Sequence, residues 1–387
     1  MKLTIYSSTH SIGGGSRLLV NLATAIARHP DVQSVRLIAN SRSGLQNTIN
    51  RSQHPNLEVV YYDGTETLPA GHPYLTDCDL VYVFWPHGTE YRDWNKPTVV
   101  TYHDTTILDY VPPFTPGPYI RSYWESSKRW LDHCDGIVVS SEHVKSRLIA
   151  HFGDRCRWAA VVRHAISPAQ YFENEETSRI LSGSLPSRYF ICPANTSPHK
   201  NHYNLFLAYA KFSKRKDHPL LLTGNNTEQY CSTPPAWPEI AYLPTIVSLI
   251  KRLDLKINQE LYPLGMVPDD YVVPLIKNAY ALIMPSLSEG GGSYPVEEAL
   301  SMGVPVLCSD IPVMREHLAN RSAKVVWFRP ESPDSIAQAM EHLTEHYDEF
   351  KASAVAGMND PAASWDDIAA QYVSIFHSAI VIKKRTL

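Results

Sequence analysis

The chain has 387 residues, of which 44% are hydrophobic and 19% charged, and its formal net charge is −4. This length and apolar content predict a globular protein that is large enough for two domains of ordinary size. Because the net charge is slightly negative and no run of like charges forms a tail, the composition argues against a protein that binds nucleic acid.

The N-terminal residues Met1 to Ser7 enter a predicted strand directly, without the apolar region of a signal peptide. No apolar run approaches the length of a membrane span, so we expect a cytoplasmic protein. The cysteines are widely spaced and form no C-x-x-C pair, which argues against a zinc site and predicts free, buried thiols. They are Cys78, Cys134, Cys156, Cys192, Cys231 and Cys308.

In the first part of the chain, short apolar segments alternate with segments of helical periodicity. The predicted strands are Leu3–Ser7, Val35–Ala39, Leu57–Tyr62, Leu80–Phe84, Thr98–Tyr102 and Gly136–Ser140. The predicted helices are Ser16–His29, Tyr119–Asp135 and Glu142–Phe152. This alternation predicts βαβ units in a mostly parallel sheet, and we place the first domain at residues 1–167.

A polar, turn-rich segment at residues 168–188 has the composition of a linker, and the alternation begins again after it. The predicted strands are Tyr189–Cys192, Leu220–Thr223, Glu260–Leu264, Tyr280–Met284, Val304–Cys308 and Lys324–Phe328. The predicted helices include His202–Lys214 and Asp334–Glu345. Three prolines between Thr227 and Glu239 predict an irregular insertion there.

These elements predict an α/β protein with two doubly wound, Rossmann-like domains that face each other across a cleft, the second domain at residues 189–365. Residues 366–387 are expected to form a C-terminal helix that packs back on the first domain. Open sheets of this class bind ligands beyond the carboxyl ends of their strands, so we expect the chemistry there.

One stretch is especially informative, because a predicted strand ends in glycines that lead into a helix. Gly290, Gly291, Gly292 and Ser293 precede a helix that we expect to begin at Pro295. Glycines let backbone amides approach a ligand closely, and the amino end of a helix attracts anions. Together these features predict a site for a phosphate and a sugar.

Three glutamates flank this glycine loop. Glu289 follows the strand at its carboxyl end, where it can accept hydrogen bonds from sugar hydroxyls. The helical periodicity of the apolar residues leaves Glu297 and Glu298 off the buried stripe, so we expect both to be available to a ligand. The alternative is that glutamates in a first helical turn only stabilise the helix.

Three further sites at predicted strand ends have candidate residues. Gly13, Gly14 and Gly15 form a second candidate anion-binding loop, although tight packing of the loop on its helix is an equal alternative. His103 can bond a sugar hydroxyl or a phosphate oxygen and can carry charge near neutral pH; the alternative is a structural histidine oriented by Asp104.

Lys200 precedes the long predicted helix of the second domain, where its charge can neutralise a leaving phosphate. A solvated surface lysine is the alternative.

Several motifs for other chemistry are absent or misplaced. Asp77-Cys78-Asp79 has the D-x-D pattern of a divalent-metal site, but it precedes a strand and therefore faces the wrong end of the sheet. The histidines lack metal-ligand spacing. Neither a P-loop nor a nucleophile elbow occurs, which argues against P-loop NTPases and serine hydrolases. We predict no metal site and no cofactor.

With these positions in view, the chain resembles the glycosyltransferases of family 4, a retaining family with the GT-B fold, over nearly its full length. The most specific matches are Pro285-Ser286-Leu287-Ser288-Glu289-Gly290, Pro295-Val296-Glu297-Glu298-Ala299 and Gly303-Val304-Pro305-Val306. Further matches are Thr101-Tyr102-His103-Asp104, Lys200-Asn201 and Leu264-Gly265-Met266-Val267.

The resemblance implies roles for these residues in binding a nucleotide sugar. Glu289 is expected to bond the donor sugar, Lys200 its diphosphate, and His103 the sugar or its phosphate. The backbone near Gly265, Met266 and Val267 is expected to hold the base.

This chain departs from the family pattern in two places. The family separates its two glutamates by seven residues, and this spacing selects Glu297 for the ribose. The Pro-x-x-Glu-Ala register instead selects Glu298. We favour Glu298 and infer one inserted residue in the glycine loop. Asn195 stands where the family often has an arginine, which leaves Lys200 as the named cation at the diphosphate.

The expected function is transfer of a hexosyl group, with mannosyl as the expected sugar, from a nucleoside diphosphate sugar to a saccharide or lipid-linked saccharide acceptor. We expect retention at the anomeric carbon, no divalent metal, and a place in polysaccharide or glycoconjugate biosynthesis. The alternatives are a sugar-nucleotide 2-epimerase of similar fold and a non-catalytic binding protein.

The helix Tyr119–Asp135 carries basic residues beside Tyr123, Trp124 and Trp130, which predicts either weak peripheral contact with the inner face of a membrane or a solvated helix face.

Overall fold

A computed structural model describes the chain at residues 1–8, 14–41, 45, 55–64, 66–111, 115–165, 185–231, 242–267 and 269–386. It divides into two compact units. The first comprises Met1–Val111, Thr115–Ile166 and Ala362–Leu387, and the second comprises Ser167–Pro361. Most of the predicted linker, at residues 168–184, lies outside the described residues.

The first unit is built around a parallel sheet. Its strands are β1 (Lys2–Tyr6), β2 (Ser34–Ala39), β3 (Leu57–Tyr61), β4 (Leu80–Val83), β5 (Thr98–Tyr102), β6 (Gly136–Val139) and β7 (Ala160–Val161). Its first helices are α1 (Gly14–Arg28), α2 (Pro73–Thr76), α3 (Thr106–Asp109), α4 (Gly117–His133) and α5 (Glu142–Phe152). The described strands pair in the order β3-β2-β1-β4-β5-β6-β7, so the strand order reverses between β1 and β4.

The second unit has the same architecture. Its strands are β8 (Phe190–Pro193), β9 (Leu220–Thr223), β10 (Leu261–Gly265), β11 (Ala281–Met284), β12 (Val306–Ser309) and β13 (Val325–Phe328). Its helices are α6 (His202–Lys211), α7 (Tyr242–Arg252), α8 (Asp269–Lys277), α9 (Tyr294–Ser301), α10 (Pro312–His317), α11 (Pro333–Glu345) and α12 (Tyr347–Ala356). Over the described strands the order is β10-β9-β8-β11-β12-β13, which reverses between β8 and β11.

The last helix, α13 (Trp365–Thr386), returns to the first unit, whose residues it contacts through buried aromatic side chains. The ring centroid of Tyr372 lies 5.5 Å from that of Tyr82, whose hydroxyl donates to Thr101 Oγ1 at 2.8 Å. At the surface, Arg28 of α1 pairs with Asp366 at 2.7 Å. Burial of these aromatic rings contributes to the apolar contact that holds α13 on the first unit.

The strands and the helices predicted from the sequence are present, and their ends are displaced by a few residues at most. Short elements such as α2, α3 and β7 were not predicted, because two to four residues are too few to show a periodic pattern. The predicted irregular insertion begins with a 3-10 turn at Thr227–Cys231, and its remainder lies outside the described residues. The expectation that all thiols are buried is wrong for Cys231, which is exposed.

No helix in the described part of the chain is both long enough and apolar enough to cross a bilayer. Two of the three aromatic residues of α4 that were predicted to face a membrane cannot contact lipid, because Tyr123 and Trp130 are buried in the first unit. Trp130 is held there by a hydrogen bond from Nε1 to the Thr89 carbonyl at 2.6 Å. The prediction that these two rings contact lipid is therefore wrong, whereas Trp124 is exposed.

Candidate functional site

The reversal of strand order in the second unit brings together two residues that the sequence placed at separate strand ends. Strands β8 and β11 are parallel neighbours, with Phe190 opposite Ala281. Lys200 ends a 3-10 turn that follows β8, and Glu289 follows β11. Lys200 Nζ lies 2.5 Å from Glu289 Oε1. The reversal point, where doubly wound sheets bind their ligands, therefore holds a direct ion pair.

The Glu289 carboxylate is well shielded, with 11% of its side chain exposed, and Ser286 Oγ donates a second hydrogen bond to its Oε1 at 2.6 Å. Burial raises the pKa of Glu289, but the charges of Lys200 and His199 and these hydrogen bonds outweigh burial, so the net pKa lies below its ordinary value. Glu289 is therefore ionised at neutral pH and accepts hydrogen bonds only.

The turn that carries Lys200 is anchored to the loop that carries Glu289. Asn201 adopts a left-handed conformation, with φ of 63°, and its Nδ2 donates to the carbonyls of Pro285 at 2.9 Å and Pro330 at 2.7 Å. The Leu287 amide donates to the His199 carbonyl at 2.7 Å. Asparagine is among the few residues that tolerate this backbone conformation. These bonds fix the relative positions of the two charged side chains.

The glycine loop leads into α9, as predicted, although the helix begins at Tyr294 with Ser293 as its N-cap. Gly292 has a φ of +108°, and an added Cβ would lie 2.3 Å from the His317 ring. Only glycine fits both requirements. The loop amides and the helix start adjoin Glu289, which is the arrangement predicted for binding a diphosphate.

The prediction that Glu297 and Glu298 lie off the buried face of this helix is wrong, because both are buried. The apolar stripe describes one face of α9, but Glu297 is covered by His317, the last residue of α10, and by Arg321, which follows that helix. The Glu297 carboxylate contacts Arg321 and lies 3.1 Å from His317 Nε2. Burial raises the pKa of Glu297, and the contacts with His317 and Arg321 outweigh it and lower the net pKa.

Protein side chains therefore engage Glu297 directly. The assignment of Glu298 to the ribose, which follows from the Pro-x-x-Glu-Ala register, stays a prediction.

The residues predicted to hold the base are only partly available. The Gly265 amide donates to Thr227 Oγ1 at 2.9 Å, and the Gly265 carbonyl accepts from the Gly224 amide at 2.8 Å. Met266 is exposed and Val267 is half-buried. Asn195, also exposed, accepts a hydrogen bond from the Ser197 amide at 3.0 Å, which stabilises the turn after β8. Because the amide and the carbonyl of Gly265 are both engaged, the prediction of base contact through the backbone concerns mainly Met266 and Val267.

In the first unit, the reversal between β1 and β4 places the start of α1 against residues after β4. Gly13 lies outside the described residues, whereas Gly14 begins α1 and Gly15 packs on Trp85. A Cβ on Gly15 would lie 3.1 Å from Trp85 Cζ2. The Trp85 ring centroid is also 4.6 Å from that of His103, so one tryptophan contacts both predicted features. The contact supports the packing alternative for Gly15.

His103 is buried, and its Nδ1 lies 3.3 Å from His164 Nε2. Burial lowers the pKa of His103 well below its ordinary value, and His164 and His87 lower it further. The expectation that His103 carries charge near neutral pH is therefore wrong. Asp104, the neighbour proposed to orient it, accepts a hydrogen bond from the Thr106 amide at Oδ1 at 3.0 Å. A neutral His103 can act through hydrogen bonds.

The D-x-D pattern lies at the amino end of the sheet, as predicted. Asp77 Oδ1 accepts from Lys2 Nζ at 2.8 Å, and Asp79 Oδ2 accepts from the Lys2 amide at 2.7 Å. Both carboxylates thus bind the start of β1. Within the described ranges no three His, Cys, Asp or Glu side chains form a group that could hold a metal ion.

Several residues of the site were not predicted from the sequence. Ser286, Arg321 and His317 contact the candidate glutamates, and His199 helps to lower the pKa of Glu289. Asn201 anchors the turn that carries Lys200. Ser286 and Asn201 lie within quoted motifs, so a hydrogen-bonding role could have been proposed for them. Arg321 has no local signal, because it is separated from Glu297 by 24 residues.

Two family models match consecutive parts of the chain. The model for "Glycosyltransferase Family 4" matches residues 12–170, and that for "Glycosyl transferases group 1" matches residues 174–354. The chain is 22% identical over 283 residues to the O-antigen chain mannosyltransferase RfbU of Salmonella typhimurium, which covers 70% of each chain. It is 25% identical to the serotype-specific mannosyltransferase WbdA of Escherichia coli over 86% of this chain, but it spans only 42% of WbdA.

Solved structures share the fold at low sequence identity. Sucrose-phosphate synthase from Thermosynechococcus elongatus superimposes with a TM-score of 0.73 at 14% identity, over 98% of this chain and 100% of that one. The lipopolysaccharide glycosyltransferase WaaG gives 0.68 at 14% identity, over 99% of each chain. HepE of Anabaena, in complex with UDP and glucose, gives 0.67 at 16% identity, over 100% of each chain. The chain belongs to glycosyltransferase family 4, and it is a hexosyltransferase with the GT-B fold.

Proposed function

We propose that this protein transfers a mannosyl group from a nucleoside diphosphate sugar to a saccharide or lipid-linked saccharide acceptor in surface polysaccharide biosynthesis. The transfer retains the configuration at the anomeric carbon and requires no divalent metal. The observation that carries the proposal is the contact between Lys200 and Glu289 at 2.5 Å, beside the glycine loop at the start of α9. The names of RfbU and WbdA, both mannosyltransferases, support the choice of sugar.

In the proposed reaction, the bond between the anomeric carbon and the diphosphate oxygen breaks, and the electron pair leaves with the diphosphate. The acceptor oxygen attacks the same face of the sugar, and its proton passes to an oxygen of the departing phosphate. Glu289 accepts hydrogen bonds from donor-sugar hydroxyls and so fixes the sugar. Lys200 and the amides of residues 290–293 stabilise the charge that develops on the diphosphate.

A transferase of this kind needs positive charge at the diphosphate, which Mg²⁺ supplies in many other enzymes. We assign this role to Lys200 together with the positive end of the α9 dipole. The D-x-D carboxylates are a poor alternative, because Asp77 and Asp79 are engaged by Lys2 at the amino end of the first sheet.

The first experiment is a thermal-shift panel of UDP-, GDP- and ADP-sugars, followed by transfer assays with the stabilising donor in the presence and absence of EDTA. We expect one base to raise the melting temperature and transfer to persist in EDTA. Loss of activity in EDTA that Mg²⁺ restores would contradict metal independence. Conversion of the nucleotide sugar without any acceptor would favour an epimerase, and binding without turnover would favour a binding protein.

We also propose weak peripheral contact with anionic lipid, because one aromatic residue is almost fully exposed. Trp158, at the end of the 3-10 turn Asp154–Trp158, has 89% of its surface exposed. The adjacent Arg157 is largely exposed and pairs at the surface with Asp154 at 2.8 Å. Nearby, Trp124 of α4 stacks on Phe152 with ring centroids 5.8 Å apart. Exposed tryptophans beside arginines suit the interface of a membrane with anionic headgroups.

Replacing Trp158 and Trp124 with serine is expected to reduce cosedimentation with liposomes that contain phosphatidylglycerol by at least threefold. The comparison is with neutral phosphatidylcholine liposomes, which should bind less of the wild-type protein. Equal sedimentation of the wild-type protein and the double variant with anionic liposomes would exclude this surface as the contact.

A further inference from the structure

Three buried polar side chains form a cluster behind the glycine loop. We call Glu297, His317 and Arg321 the loop cluster. Their side chains are 5%, 9% and 10% exposed, so the charges of Glu297 and Arg321 are almost entirely removed from water. Such a pair persists only when its partners satisfy each other closely, because desolvation of each charge is costly.

The loop cluster contacts the glycine loop directly. Glu297 lies in the first turn of α9, immediately after the loop. The His317 ring occupies the space where a side chain at residue 292 would lie, since an added Cβ would be 2.3 Å from it. The loop is thus held from two sides, by His317 at Gly292 and by Arg321 through Glu297.

The other end of the same loop is held by the turn that carries Lys200. The Leu287 amide bonds to the His199 carbonyl, and Asn201 bonds to the Pro285 carbonyl. The loop cluster therefore anchors the end of the loop that lacks these bonds. This end carries the amides nearest the helix start, as well as Glu298.

We propose that Glu297, His317 and Arg321 are positioning residues for the donor site: they fix the backbone of residues 290–293 and the direction of Glu298, and so set the affinity for the nucleoside diphosphate. This inference rests on the proposed function. It assigns Glu297 to the protein scaffold and leaves Glu298 as the ligand contact, although both glutamates lie next to each other in the sequence.

The test separates positioning from stability by comparing a single variant with a double variant. Arg321→Met leaves the Glu297 carboxylate buried beside one fewer partner, so both melting temperature and nucleotide affinity should fall. Glu297→Leu combined with Arg321→Met removes both charges, and replacement of both members of a buried pair by apolar groups is often neutral or stabilising. The double variant should therefore recover the melting temperature.

If the loop cluster positions the donor site, the double variant recovers stability but not binding. We expect its affinity for the stabilising nucleoside diphosphate, UDP, GDP or ADP, to remain weakened about 10-fold or more, which corresponds to a loss of about 1.4 kcal/mol or more in binding free energy. The KM for the acceptor should stay unchanged. Arg321→Lys, which keeps the charge, should restore part of the affinity.

A control is offered by another buried carboxylate of the same unit that pairs with an arginine. Glu260 accepts from Arg215 Nε at 2.9 Å, and its side chain is 7% exposed. Arg215→Met should lower the melting temperature while the nucleotide affinity stays at the wild-type value. Arg215 follows α6 and Glu260 directly precedes β10, and neither contacts the glycine loop among the described interactions.

Two results would overturn the inference. One is wild-type nucleotide affinity in the Glu297→Leu/Arg321→Met variant. The other is an equal loss of affinity in Arg215→Met, which would show that affinity follows stability alone. Failure of the proposed function looks different, because in that case none of the three nucleoside diphosphates would bind the wild-type protein.

Discussion

Glu289→Gln should reduce kcat for transfer by about 10²–10³-fold and, at the same time, tighten binding of the nucleoside diphosphate product. Transfer falls because an amide replaces the carboxylate that accepts hydrogen bonds from the donor sugar. Binding of the product tightens because Lys200 is paired with Glu289 at 2.5 Å, and a neutral glutamine leaves the charge of Lys200 for the phosphates.

The two effects are measured separately, by initial rates of transfer and by calorimetric titration with the nucleoside diphosphate. Glu298→Gln is the matched control, because it removes a neighbouring buried carboxylate that we assign to the ribose; it should weaken nucleotide binding. Wild-type kcat in Glu289→Gln would contradict the assigned role of Glu289. Unchanged product affinity would show that the carboxylate does not compete for Lys200.

The fold could be predicted because it depends on short-range patterns. The buried strand β9 is an apolar run that ends at a threonine, and α5 begins at a serine cap, so the ends of both were placed correctly. The predicted alternation also implied doubly wound sheets. The strand order itself was not predicted, and with it the adjacency of β8 and β11 was missed.

The candidate site was predicted as separate residues but not as a set of contacts. Lys200 and Glu289 are 89 residues apart, so their ion pair depends on the strand order of the folded sheet. His103 has Asp104 beside it in the sequence, yet it contacts His164, 61 residues away. Burial of these groups changes their charge, which explains why the expected protonation of His103 was wrong.

The helical periodicity of α9 was misleading for a related reason. A stripe of apolar residues identifies the face that packs on the sheet, and it says nothing about what covers the opposite face. Here Arg321 and His317 cover it and bury Glu297. A buried carboxylate in a short helix can be recognised from the sequence only when its partner is also known.

Lys200→Met should lower kcat for transfer by about 10²–10³-fold, because the variant loses the cation that stabilises the leaving diphosphate, a contribution of about 2.7–4 kcal/mol to the barrier. It should also weaken nucleoside diphosphate binding, in contrast to Glu289→Gln. Lys211→Met is the control, since Lys211 forms an exposed ion pair with Asp334 in the same unit. Exposed pairs of this kind contribute about 0–1 kcal/mol.

The pH dependence of stability gives a second readout for Lys200→Met that does not require a substrate. In the wild-type protein the pKa of Glu289 is lowered, so its ionised form stabilises the fold above its ordinary pKa, and this contribution is lost as the pH falls through the lowered value. Without Lys200, burial should dominate and raise the pKa of Glu289. The carboxylate then destabilises the fold at neutral pH, and protonation relieves this at lower pH. The difference in melting temperature between wild-type and variant should therefore be larger at pH 7 than near pH 4. A difference that is independent of pH would show that Lys200 does not control the ionisation of Glu289.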